Sequence, residues 1–499
     1  MRTVPPTEQG KHRAITSGAI TNGKPVILNS DGTVSVVATS SASTANGTPQ
    51  VFEEAFVTKY ASTFDSNANR VVIAYQDGDN SSHGTAIVGT TDTSDNSISY
   101  GTAVVFESAD TRELSATFDS NSNKVVIAYQ DTGNASYGTA IVGTVDPSDN
   151  SISFGTPEVF ESAAAFGISA TFDSSSNKVV IAYYDNGNSN KGTAVVGTVS
   201  GTGISFGSPV IFQNAASDDV SATFDSNSNK VVIVYRDGTS SNYYGTAIVG
   251  TVSGTSISFG TKATIVTRIT TKHSAVFDSN SNKVVIAYRD TGNSDKGTAI
   301  VGTVSGTDIT YGSSAIFNAG STDFVSATFD SSVNKVVIAY QDEGASDVGT
   351  HIEGTVSGTG ISFGSETVFE NAVTGPITST FDSSAKRAVI AYRDNGNSNY
   401  ATSVVFRNSG SSSNLTTGNY IGIATGGSYA DGQSATIDLV GTVNGDQSSL
   451  TEDQQLFVQE DGTLGTTADT TSVVAGTAIS ATKLLVGTVN SKTVDVIKG

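Results

Sequence analysis

The residues best placed for chemistry are two sets of repeated acids. Asp77, Asp131, Asp185, Asp237, Asp290, Asp342 and Asp394 each follow Tyr-x; Asp65, Asp119, Asp173, Asp225, Asp278, Asp330 and Asp382 each follow Phe. Paired carboxylates are what a glycosidase needs, one as acid and one as base or nucleophile. An active site, however, needs one asymmetric constellation, and these acids recur in every copy of a repeat. Asx-turn capping accounts for them at less cost, because Asp accepts from backbone N–H groups two residues on.

Other chemistry finds little support. His12, His83, His273 and His351 fall in unrelated registers of the repeat, so no two are placed to share a metal. No G-x-S-x-G nucleophile elbow stands on a strand-to-helix turn. Cysteine is absent, which removes disulfides and thiolate metal sites. The loops DTGN and DNGN would suit Ca²⁺, but calcium wants six to eight oxygens and one loop supplies too few. Asp boxes of the sialidase type end in Gly-x-Thr-Trp, and the chain has no Trp. The expectation is a protein without enzymatic activity and without a cofactor.

These residues are positioned by a repeat. Phe-Asp recurs at Phe64, Phe118, Phe172, Phe224, Phe277, Phe329 and Phe381, spaced 52 to 54 residues apart. That spacing belongs to propellers rather than to helical solenoids. Each unit reads as four strands: a (SATFD), b (KVVIAY), c (GTAIVGTV) and d (TPEVF), with Gly, Asn, Asp and Ser between them. VVIAY is apolar on both pleat faces and must be covered on both sides. The d strands end at Val51-Phe52, Val105-Phe106, Val159-Phe160, Ile211-Phe212, Ile265-Val266, Ile316-Phe317 and Val368-Phe369. The first of these precedes the first a strand, and the seventh unit stops after its c strand near Phe406. Strand 48–53 should therefore close the last blade of a seven-bladed β-propeller over residues 46–406, leaving few open edges.

Comparing copies separates two faces. The a→b turn barely changes (DSNAN, DSNSN, DSSSN), and the c→d linker repeats SGTSISFG. The d→a loops differ widely: ESADTRELS, ESAAAFGIS, QNAASDDVS, VTRITTKHS, NAGSTDFVS and ENAVTGPIT. They contain Arg112, Phe166, Asp219, Lys272 and Phe324. The residue between Tyr and Asp after strand b also varies: Gln76, Gln130, Tyr184, Arg236, Arg289, Gln341 and Arg393. Scaffold positions repeat while contact positions diverge. Gln, Arg, Tyr and Asp suit sugar hydroxyls through hydrogen bonds and stacking. Neutral drift of exposed loops is the competing explanation.

Residues 1–45 and 407–499 lie outside the repeat. AITNGKPVILNSDGTVSVV reads as a hairpin with a Ser-Asp-Gly turn, and the tail is again strands and turns. The two arms should form one small β-sandwich or barrel-like base domain into which the propeller is inserted.

Composition sets outer bounds. The 499 residues carry a formal charge of −21, which argues against nucleic-acid binding. No run of about 18 apolar residues exists to insert in a membrane. The N-terminus, MRTVPPTEQGKHRAITSG, lacks the apolar stretch of a secretory signal.

The segments IGIATGGSYADGQSATIDLVGTV, LFVQEDGTLGTTADTTSVVAGTAISATKLLV and GKPVILNSDGTVSVV resemble modules of virion structural and fibre-like proteins of marine tailed phages. The repeat NKVVIAYQDTGNASYGTAIVGTV is similar to repeats in the same proteins. The resemblance implies a virion-surface protein made in the host cytoplasm and released on lysis. Its base would hold other virion structural proteins, its propeller would meet a host-surface glycan, and it could form a homo-oligomer. Two alternatives stay open: a decoration or spacer protein without ligand, and a propeller-type glycan-degrading enzyme. The resemblance brings no catalytic residues.

Overall fold

A computed structural model describes residues 10–42, 44–239, 243–408, 410–468 and 471–487. Among them the chain is all-β, with antiparallel strands, four single-turn 3₁₀ helices and no α-helix. Backbone contacts divide it into two compact units: Met1–Ser43 with Ser409–Gly499, and Thr44–Asn408.

In the larger unit, each Phe-Asp repeat builds one antiparallel sheet. In the second repeat, the end of strand Val104–Asp119 (a) pairs with Lys124–Asp131 (b). That strand pairs with Tyr137–Asp146 (c), and c with the beginning of Glu158–Asp173 (d). In the last repeat, Tyr400–Arg407 takes its outer partner from Gln50–Glu53, with Ala401 opposite Glu53 and Thr402 opposite Val51.

Two sequence expectations need correction. The d→a segments are not loops. Strand d runs on as strand a of the next sheet in continuous 16-residue strands such as Val104–Asp119, Glu158–Asp173 and Val210–Asp225. The variable residues sit at β-bulges that re-aim the strand from one sheet to the next. In the fifth repeat the run breaks between Ala263–Ile269 and Thr271–Asp278. There Thr264-Ile265, rather than Ile265-Val266, occupies the d-strand register. Second, the c→d linker holds a short strand. Ser151–Phe154 pairs with the end of c, from Gly143↔Phe154 to Asp146↔Ser151. Strand c outruns its neighbours, and its exposed backbone groups need partners.

The b strands form the core. Val125, Val126, Ile127, Ala128 and Tyr129 are all fully buried, each large side chain contributing about 1.5–3 kcal/mol. Pleat alternation divides them between neighbours. Val125, Ile127 and Tyr129 pack with Val72 and Ala74 of the preceding repeat. Val126 and Ala128 pack with Val179, Ile181 and Tyr183 of the following one. Val389 and Ala391 of the last repeat join Val71, Ile73 and Tyr75 of the first.

The Phe-Asp acids cap turns as the sequence predicts. Asp119 Oδ1 accepts from the N–H groups of Asn121 and Ser122, both at 2.9 Å, and Asp65 from Asn67 and Ala68. The turn ends in the left-handed region at Asn69, Asn123, Asn177, Asn229, Asn282 and Asn334, where the last repeat has Lys386, φ 56°.

The smaller unit contains two five-stranded sheets. In the first, Lys11–Ile15 lies beside Ser434–Leu439, then Tyr420–Thr425, Pro25–Leu28 and Val34–Val36. In the second, Val443–Asn444 lies beside Lys483–Val486, then Val473–Ser480, Gln455–Val458 and Leu464–Gly465. The predicted Ser-Asp-Gly hairpin joins Pro25–Leu28 to Val34–Val36, with Gly32 at φ 82°.

Candidate functional site

The variable residues gather where strand d of one sheet becomes strand a of the next. At five of the seven bulges one residue adopts a left-handed backbone: Glu113 (φ 51°), Gly167 (56°), Asp219 (54°), Lys272 (57°) and Phe324 (49°); the bulges at Val57–Tyr60 and Thr374–Ile377 have none. Only glycine accepts this freely; other residues cost roughly 1–2 kcal/mol there. Four of these five left-handed positions keep a side chain at that cost.

Contacts run from one crossing to the next. Lys59 pairs with Glu113 at 3.2 Å, and Glu113 accepts from the Gly167 N–H at 3.0 Å. The Asp219 carboxylate accepts from the N–H groups of Lys272 and His273. Lys272 reaches Asp323 at 3.2 Å and lies over the Phe324 ring at 5.1 Å.

The Tyr-x-Asp residues stand opposite these crossings, Gln130 facing Arg112 and Tyr184 facing Phe166. Tyr184 and Phe166 stack with centroids 5.4 Å apart, and burial pushes the Tyr184 hydroxyl up to about 12. Arg236 pairs with Asp218 at 3.1 Å and covers the Tyr243 ring. Burial raises the Asp218 carboxyl above its ordinary value. Arg289 contacts Asp295 at 2.9 Å and Glu343 at 3.5 Å; its bond holds Asp295 below the usual range. Arg393 binds Asn395 at 2.7 Å and lies over Phe56. Arg112 is exposed and pairs with Asp110.

The three glutamines are different. Gln76, Gln130 and Gln341 are buried and donate to protein acceptors: Asp110 Oδ1, the Ala165 carbonyl and the Thr374 carbonyl. They brace the crossings rather than face solvent. Glu113, Asp218, Asp323, Phe56 and Tyr243 belong to the same network and escaped the sequence reading. Aligning the d→a segments on the Ser of SATFD would have placed Glu113 with Asp219, Lys272 and Phe324.

The acids after Tyr-x serve the b→c turns. Asp131 Oδ1 accepts from the Asn134 N–H at 3.1 Å, capping the 3₁₀ turn Thr132–Asn134. Asp237 accepts from Thr239 N–H, and Asp290 binds Arg268. Among the described residues no group of three or more His, Cys, Asp or Glu could hold a metal ion. His83 begins a c strand opposite Asp77, and His12 lies in the first sheet of the smaller unit. His273 and His351 are buried. Among the described residues no helix is long and apolar enough to cross a membrane.

No family model matches the chain, and no curated protein matches it in sequence. Solved structures are similar in fold. The BP39L lectin from Burkholderia pseudomallei superposes with a TM-score of 0.54 at 12% identity, over 73% of this chain and 99% of the lectin. The Cps50 (Swd1) β-propeller domain of Myceliophteria thermophila gives 0.45 at 9% identity, over 72% and 99%. The K499G mutant of NanB sialidase from Streptococcus pneumoniae gives 0.43 at 11%, over 72% and 70%. The chain is thus all-β, with a fold similar to that of the lectin.

Proposed function

We propose that the Thr44–Asn408 unit is a seven-bladed β-propeller, closed by Gln50–Glu53, that binds a glycan on the face formed by the strand crossings. Closure is supported by the hydrogen bond between the Ser62 and Thr378 hydroxyls, 3.0 Å apart, which links the first a strand to the last. The observation that carries binding is the backbone strain. Asp219, Lys272 and Phe324 hold left-handed conformations where Gly167 shows that glycine suffices. Strain kept at a surface points to a role for the side chains. Aromatic rings, cations and carboxylates alternate there, a set that stacks on sugar rings and bonds their hydroxyls. The protein on this reading is a binding protein and not an enzyme.

We further propose, from the sequence resemblance, a virion-surface protein whose smaller unit holds other virion structural proteins while the propeller meets the host envelope. The burial of Gln76, Gln130 and Gln341 favours a second reading, in which the crossings are scaffold and the protein is decoration without ligand. A glycan array probed with the full chain separates them. The binding reading expects a defined glycan set whose signal falls in Lys272→Gly and Arg289→Ala; silence across the array, with folded protein, leaves decoration.

A further inference from the structure

The two sheets of the smaller unit share one strand order, and their details coincide. Asp31 Oδ1 accepts from Thr33 N–H at 2.9 Å and from its hydroxyl at 2.6 Å; Asp461 does the same with Thr463 at 2.8 and 2.6 Å. Gly32 and Gly462 have φ of 82° and 76°. Val26 faces Gly422 just before a register shift, and Leu456 faces Gly476 just before its own. A Cβ on Gly422 would run into the Asp438 carbonyl, and one on Gly476 into that of Leu485. The second sheet is a copy of the first. Between the strands equivalent to Leu464–Gly465 and Val473–Ser480, the first copy contains the whole Thr44–Asn408 unit.

The copies stack head to tail. Ile27 and Ile423, on one face of the first sheet, pack with Leu456, Ala478 and Leu484 of the second. By register, Leu456 corresponds to Val26 and Ala478 to Ala424, which lie on the opposite face of the first sheet. So the face buried in copy one is left uncovered in copy two. It displays Val443, Phe457, Val474, Thr477, Ile479 and Leu485. Val443, Ile479 and Leu485 are 47%, 40% and 38% exposed; none of the six is charged, and the exposed Lys483, one pleat period before Leu485, adds a cation to the same face. Such a patch is a mark of an interaction surface.

We propose that this face pairs with the same face of a second copy of this chain. The pattern of the internal stack excludes a head-to-tail continuation by identical chains. The face that a second chain would need to offer is already covered in copy one by its own Ile20 and Tyr429. Same-to-same contact remains, which closes as a two-fold dimer. Two apolar sheet faces stack at sandwich spacing, and the lack of acids on this face spares the contact in a chain of charge −21.

Sedimentation velocity of the full chain over a wide concentration range tests this. The expected result is twice the chain mass, shifting to the monomer in Leu485→Lys and in Ile479→Lys, with unchanged melting midpoints. Ile15→Lys, exposed on copy one outside this face, should remain dimeric. A monomeric wild type overturns the proposal. So does an oligomer that both lysines leave intact. A monomer whose melting midpoint falls in Leu485→Lys would assign the face to the chain's own residues beyond Gly487 and also overturns it.

Discussion

The hydroxyl of Ser62 lies 3.0 Å from that of Thr378, although 316 residues separate them. It is one link of a belt between successive a strands. Ser115, Ser169, Ser221, Ser274 and Ser326 accept from the N–H groups of Ala170, Ala222, Ala275, Ala327 and Ser379. One link lacks its hydroxyl: Ala61 stands where the other strands carry Ser or Thr. Thr378→Val should lower stability by about 1 kcal/mol, the net worth of one such bond. Ala61→Ser, facing Ala116, should raise it by a similar amount. Thermal midpoints measure both.

Lys386 occupies the left-handed turn position that six repeats give to Asn. Asn tolerates that conformation better than Lys. Lys386→Asn should stabilise by up to about 1 kcal/mol, and Lys386→Gly by a comparable amount, read from denaturation midpoints.

The strain at the proposed binding face predicts opposite effects on stability and function. Lys272→Gly loses a half-exposed ion pair worth about 0.2–1 kcal/mol and relieves roughly 1–2 kcal/mol of backbone strain. The variant should be as stable as wild type or slightly more so, while glycan signal falls. A lower melting midpoint would remove the strain argument.

Glu161 accepts from the buried Tyr183 hydroxyl at 2.9 Å, and burial raises its carboxyl above the ordinary value. Where repeats four and six carry Gln213 and Asn318 instead, the amide turns to donate to Asp237 and Asp342. Asp185 Oδ1, the matching acceptor beside Glu161, has no hydrogen-bond partner. In repeat four the Tyr235 hydroxyl beside Gln213 has no partner, so Glu161→Gln exchanges the Tyr183 bond for one to Asp185, about 1 kcal/mol each, and its gain in stability at neutral pH is the removal of the buried charge. A raised carboxyl is a full penalty only above its folded titration, so the gain should shrink as pH falls through that raised value toward 4.5 and be absent below it.

His351 stands in strand c where other repeats carry Ala86, Ala140, Ala194, Ala247 and Ala299. It stacks on Phe406 at 4.1 Å and contacts Asn46 Oδ1 at 3.1 Å. Burial lowers it from 6.5 to about 4. The unfolded chain then binds the proton first, so its contribution to stability is lost as pH falls from 6.5 toward 4. His351→Ala should flatten the melting profile across that window. A profile parallel to wild type would refute the assignment.

Much of this fold was legible because its signals are local. VVIAY announces a strand covered on both sides, and the Phe-Asp turns cap as their spacing requires. The crossings were not legible. ESADTRELS and NAGSTDFVS look like loops because their polar residues break alternation, yet bulges let the strand run through them. The outward or inward aim of Gln130 was equally hidden: its side chain turns to the Ala165 carbonyl of a sheet one repeat away, a partner no local pattern names. The doubling within the smaller unit was obscured because the first copy is split by the whole Thr44–Asn408 unit.

Each b strand sends Val126 and Ala128 one way and Val125, Ile127 and Tyr129 the other. No repeat therefore owns a core. Excising one would remove half of the side chains from two layers at once. Residues at the crossings can change without disturbing these layers, whereas each repeat is shared by the neighbours on both sides, and melting should be a single collective event rather than a peeling of units.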